Sequence, residues 1–131
     1  MALGTIASDT IQDGAGNSTA TTNCIKGSAK AWVNFNGGTG TIAGSFNVSS
    51  VTVNSTGYWT IAFTTAMANA NYSVVGSLSA TSGTGQSNIF EPFTNVSTGG
   101  TTAPTTSSFI CSSIQSGGTA PVYACVSVFS S

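Results

Sequence analysis

The stretch Ala29-Lys30-Ala31-Trp32-Val33-Asn34-Phe35-Asn36-Gly37-Gly38-Thr39-Gly40-Thr41-Ile42-Ala43-Gly44-Ser45-Phe46-Asn47-Val48 decides the fold class. Ala29, Ala31, Val33 and Phe35 alternate with Lys30, Trp32, Asn34 and Asn36. Period two is the pattern of a half-buried strand, because successive side chains point to opposite faces. Gly37 to Gly40 supplies turn chemistry, and Ile42, Gly44, Phe46 and Val48 alternate on the return. Closing the hairpin symmetrically pairs Phe35 with Ile42, Val33 with Gly44, Ala31 with Phe46 and Ala29 with Val48. Every pair lands on one face, with large residues mostly opposite small ones. Trp32 then points away from that face.

Working outward, the pattern repeats with breaks. Val51 and Val53 are out of phase with Phe46 and Val48, which places a bulge or a bend between sheets at Ser49-Ser50. Asn54 to Gly57 reads as a turn, followed by alternating Trp59, Ile61 and Phe63. A strand near Asn71 to Ala80 puts Tyr72, Val74, Gly76 and Leu78 on one face, and Thr81 to Ser87 is a polar loop. Ile89 to Val96 is strand-like, but Pro92 confines it to an edge or a bulge. Thr98 to Ser107 is expected to be a long exposed loop. A last hairpin around Ser116-Gly117-Gly118 would pair Ile110 with Val126 and Ile114 with Val122. It would also set Cys111 opposite Cys125, in contact but without a bond.

No amphipathic helix of any length is visible. Residues 1–24 hold only scattered apolar signals (Leu3, Ile6, Ile11) and a polar turn, Asp13-Gly14-Ala15-Gly16-Asn17. The expected architecture is all-β: an antiparallel β-sandwich of jelly-roll-like character over residues 25–131, with an extended N-terminal arm over residues 1–24. The arm would be ordered only by packing against something else.

Composition narrows the function. Of 131 residues only five are charged (Asp9, Asp13, Glu91, Lys26, Lys30), none is histidine, and the net charge is −1. Charged residues form 4% of the chain, against about 25% in an average soluble domain. Two lysines cannot neutralise a phosphate backbone or make a polybasic membrane patch, so neither nucleic acid nor membrane is expected as a partner. The start of the chain lacks the basic and apolar regions of a secretory signal, which predicts synthesis and retention in a cytoplasm.

A serine or cysteine nucleophile would lack a base to take its proton. A glycosidase would need a carboxyl pair, for which only Glu91 with Asp9 or Asp13 is on offer. The bland reading makes the aspartates turn formers or partners of Lys26 and Lys30. Asp9, Asp13 and Asn17 do not match the alternating ligands of a calcium loop. Gly37-Gly38-Thr39-Gly40 lacks the lysine and helix of a phosphate cradle. Cys24, Cys111 and Cys125 are an odd, widely spaced set, expected to be thiols buried as small hydrophobes rather than metal ligands. The sequence thus predicts no catalytic residue, no metal and no cofactor.

What is left is association. A mean hydropathy of +0.24 with so little charge gives almost no repulsion between copies, so much of the surface is expected to lie against partners. Trp32, Tyr58 and Trp59 are the candidate functional residues, as a subunit interface or as a platform for stacking a sugar.

Three segments carry a resemblance: Gly27-Ser28-Ala29-Lys30-Ala31-Trp32-Val33-Asn34-Phe35-Asn36-Gly37, then Ser45-Phe46-Asn47-Val48-Ser49-Ser50-Val51-Thr52, then Gly57-Tyr58-Trp59-Thr60-Ile61-Ala62-Phe63-Thr64-Thr65-Ala66-Met67 followed by Asn71-Tyr72. In that order they resemble a β-structured knob domain of tail-fibre and other virion structural proteins of tailed bacteriophages, including those of cyanobacteria. The likeness runs from about Asp9 to Leu78; the chain from Ala80 onward has no counterpart. The resemblance implies a non-enzymatic, homotrimeric knob on the virion surface and brings no catalytic residues. Fibre versions usually end a long chain with a shaft, whereas here Met1 is a short arm away. That favours direct attachment to the major capsid protein or another virion protein, as a capsid decoration (cement) protein. A tail-fibre tip recognising host-surface glycans is the alternative.

Overall fold

The computed structural model describes residues 4, 7–79, 89–95, 98–114 and 120–130. It is an all-β protein whose core lies between two four-stranded antiparallel sheets. The strands that build them are β3 (Ala31–Phe35), β4 (Ile42–Phe46), β5 (Val48–Ser55), β6 (Tyr58–Phe63), β7 (Ser73–Leu78), β8 (Ile89–Pro92), β11 (Ser108–Ile114) and β12 (Ala124–Phe129). One sheet has the order β5-β6-β11-β8 and the other β4-β3-β12-β7. Short β9 (Thr94–Asn95) and β10 (Gly100–Thr101) pair beside them.

The alternating residues meet where the sheets face each other. Ala31, Val33 and Phe35 from β3 and Ala124, Val126 and Val128 from β12 pack against Trp59, Ile61, Phe63, Phe109 and Cys111 of the other sheet. Each large side chain buried this way stabilises the fold by roughly 1.5–3 kcal/mol. Phe35 and Trp59 meet edge to face across the layers, 5.5 Å between ring centres. At the other end Phe63, Tyr72, Phe93 and Phe109 form an aromatic cluster with centre separations of 5.7–6.2 Å.

The Gly37–Gly40 loop closes β3 onto β4 as expected. The Asn36 side-chain oxygen accepts from the Gly38 and Thr39 amides at 2.9 and 3.0 Å, and Gly40 takes φ +72°. The register beyond the first pair does not follow symmetric closure. Phe35 faces Ile42, but Ala43 is an extra residue, so Asn34 faces Gly44, Val33 faces Ser45 and Trp32 faces Phe46. One bulged residue moves every later side chain to the opposite face. Phe46, expected in the core beside Ala31, therefore lies on the outer face beside Trp32.

The bulge expected at Ser49-Ser50 is present, between Val48 and Ser50, and the chain passes from one sheet to the other just before it, at Asn47, with φ +53°. The Asn47 amide group donates to the carbonyls of Lys30 and Thr65 at 3.2 and 3.1 Å, and its oxygen accepts from Thr65 N–H at 2.7 Å. That clamp supplies the partners that offset a left-handed backbone at a residue with a Cβ. Pro92 sits on edge strand β8, as its missing N–H requires.

The last expected hairpin is absent. β11 pairs with β6 and β8, and β12 pairs with β3 and β7, so Ile110 does not face Val126 and Ile114 does not face Val122. Cys111 and Cys125 consequently lie in different sheets. Nor does the strand order follow a jelly roll, whose first and second strands lie in different sheets. Tight turns keep β3 beside β4 and β5 beside β6, and β8 neighbours β11.

The arm is not simply extended. β1 (Thr10–Gln12) and β2 (Ser18–Ala20) form a hairpin, and α1 (Thr21–Gly27) follows, a helix the sequence did not reveal. Its apolar content is too small to show a helical stripe, and none of its residues is buried. The 81–87 loop lies outside the described residues.

Candidate functional site

The three predicted aromatic residues separate on folding. Trp59 is 0% exposed, and its indole N–H donates to the Gly37 carbonyl at 2.7 Å. It is a core residue and offers no face to a sugar or a partner. Tyr58, on the opposite side of β6, is 7% exposed. Trp32 alone lies open, at 43%.

Trp32 belongs to a surface built by strand pairing. Across the outer face of the β4-β3-β12-β7 sheet, one row runs Phe46, Trp32, Ser127, Val75. The next row runs Gly44, Asn34, Cys125, Ser77. Phe46 and Val75 are 55% and 54% exposed. The far edge of the Trp32 ring lies over Gly44, with Cζ3 and Cη2 3.5 and 3.6 Å from where a Cβ would stand. Neither row carries a charge. Asn34 Oδ1 is buried in this face without a hydrogen-bond partner.

Two depressions mark the same face. A groove of about 270 Å³ between β7 and β12 is lined by Val75, Gly76, Ser77, Cys125 and Ser127. An open cleft of about 450 Å³ lies beyond Phe46, against Asn47, Thr64 and Thr65. The sequence pointed to Trp32 but missed Phe46 and Val75. The Ala43 bulge hid Phe46, and Val75 is out of phase with the inward Val74.

The charged and sulfur groups do not converge. Glu91 is on β8, facing Ser112 across the pair, while Asp9 and Asp13 belong to the arm. The Asp13 carboxylate accepts from the Asn17 side chain and from the Asn17 and Ala15 amides, each at 2.9 Å, and the Asn17 bonds hold it below the usual carboxylate range. It is a turn former. Lys30 donates to the Ile25 carbonyl and the Ser28 hydroxyl. All three cysteines are thiols, but only Cys111 is buried; Cys24 and Cys125 are exposed, against expectation. Neither lies on a face that a core covers. Burial pushes the Cys111 thiol up to about 12. Among the described residues no cluster of three metal-ligating side chains occurs.

The arrangement presents a partly aromatic sheet face whose two outward rows carry no charge, with hollows beside it. Comparison with protein-family models, curated proteins and solved structures finds no match to this chain.

Proposed function

We propose that the protein is a non-enzymatic structural component of a tailed-phage virion. In this reading it is a homotrimeric surface knob attached directly to the particle as a capsid decoration protein. The observation that carries the self-assembling part is the outer row Phe46–Trp32–Ser127–Val75, an uncharged row with three exposed apolar side chains. Exposed apolar surface of this kind marks an interaction site, and in closed oligomers the same chain supplies the cover. The resemblance of residues 9–78 to phage knob domains supports the virion setting. Light scattering of the purified protein should give a species of about 39 kDa, three copies of 13.0 kDa; a monodisperse 13.0 kDa species removes the trimer. Particles lacking the protein should lose capsid stability if it decorates the head.

A tail-fibre tip binding host-surface glycans is the second reading. Phe46, paired across the strands with Trp32, lines a cleft with Asn47, Thr64 and Thr65, which sets an aromatic ring beside hydroxyl groups. Glycan-array binding that disappears in Trp32→Ala, with particle stability unaffected, would decide for it.

A further inference from the structure

The arm and the outer sheet face each lack what the other has. From residue 7 to residue 28 the arm buries nothing beyond a partly covered Thr21. Its hairpin has three-residue strands, and its helix has seven residues and no side-chain cap. Two-stranded hairpins and helices shorter than about 12 residues are marginal in water unless a surface supports them. The arm also holds Ile11 and Ile25 out in solvent, 51% and 59% exposed.

The sheet face has the complementary deficit. Its Phe46–Trp32–Val75 row is uncovered, and the Val75–Ser77–Cys125–Ser127 groove is an empty seat for a branched side chain. Among the described residues the chain's own arm does not fill it: Lys26 reaches only the margin of the face, beside Ser73 and Phe129. Charge points the same way: the arm carries Asp9 and Asp13 against a single Lys26, while the receiving face is bordered by Lys30, whose ammonium sits on the Ile25 carbonyl and the Ser28 hydroxyl rather than on a carboxylate.

We infer that the β1-β2-α1 arm of one copy docks on the outer β4-β3-β12-β7 face of a second copy, seating Ile11 and Ile25 against Trp32, Phe46 and Val75. This rests on the self-assembly in the proposed function and specifies its geometry. Two such faces packed on each other would make a twofold dimer. Arm on face joins unlike surfaces, and unlike surfaces close into a ring when the rotation is a third of a turn.

Two native thiols report on this contact, because Cys24 is on the arm helix, Cys125 is on the receiving face, and both are exposed. Full-length protein mixed from ¹⁴N- and ¹⁵N-labelled copies would be treated with a short bismaleimide, analysed by peptide mass spectrometry, and sized by light scattering. The expected result is a species of about 39 kDa (three copies of 13.0 kDa) with isotopically mixed Cys24–Cys125 links. The double variant Ile11→Asn, Ile25→Asn changes only exposed side chains. It should lose the mixed link and need about tenfold more protein to assemble. A 39 kDa species without mixed Cys24–Cys125 links, unaltered by the double variant, overturns the arm docking and leaves the assembly standing. A protein that stays monomeric at every concentration overturns both.

Discussion

Trp32 stands out of phase with Ala31, Val33 and Phe35, whereas Trp59 is in phase with Ile61 and Phe63, and the first is open while the second is sealed. Trp59 fills the space between sheets, meets Phe35 edge to face and satisfies its indole N–H on Gly37. Trp59→Ala should therefore cost about 3–5 kcal/mol in chemical denaturation, the range for truncating a buried aromatic. Trp32→Ala should cost under about 1 kcal/mol in the dissociated chain, its effect falling on assembly instead. The thiols divide similarly. Cys24 and Cys125 should alkylate at pH 8 in the native protein, while Cys111 should react only after unfolding, as peptide mass spectrometry would read. Burial also pushes the Tyr72 hydroxyl up to about 12 from its usual 10.0, and the Cys111 thiol to about 12 from 9.0. Both groups hold their protons longer folded than unfolded. Their stabilisation is complete below pH 9 and is lost as pH rises toward 12, so denaturation midpoints should fall steadily across that window.

Among elements, the passage from β4 to β5 has the most structural consequence. A single residue, Asn47, turns the chain from one sheet to the other in a left-handed conformation and clamps Lys30 and Thr65 with its side chain. Asn47→Ala loses three hydrogen bonds and keeps the unfavourable φ, for an expected loss of about 2–4 kcal/mol. Asn47→Gly relieves the backbone and should fall between that variant and the native protein. Equilibrium denaturation of the three proteins checks the order, and a glycine variant weaker than the alanine one would contradict this account. The Ala43 bulge acts with the same economy, since one unpaired residue places Phe46 outside beside Trp32.

For the whole molecule, two features follow from scarcity of charge. The core is supplied by alternating strands, and the central rows of the outer face lack the charged residues that would keep them apart from other copies. An assembly held mainly by apolar contact should tighten with sulfate, which strengthens burial, and be little weakened by sodium chloride, which only screens. Light scattering across salt series would show this. Marked dissociation in sodium chloride would mean that the few Asp and Lys contacts dominate.

The sequence by itself determined the all-β class, the β3-β4 turn, the edge placement of Pro92 and the outward direction of Trp32. All of these are consequences of local alternation and of what glycine and proline permit. It could not place β11 and β12 in opposite sheets, nor foresee the Ala43 bulge or a short uncovered helix. Strand pairing between distant segments depends on which buried faces match in three dimensions, and the Ala43 bulge, unlike the one at Ser49, leaves the alternation of Ile42, Gly44 and Phe46 unbroken. Only the tertiary structure decided that Trp59 is sealed against Phe35 and Gly37, that Phe46 and Val75 join Trp32 in one uncharged row, and that the described part of the arm leaves that row open. Those outcomes were set by the competition among faces for burial, which no stretch of sequence expresses alone.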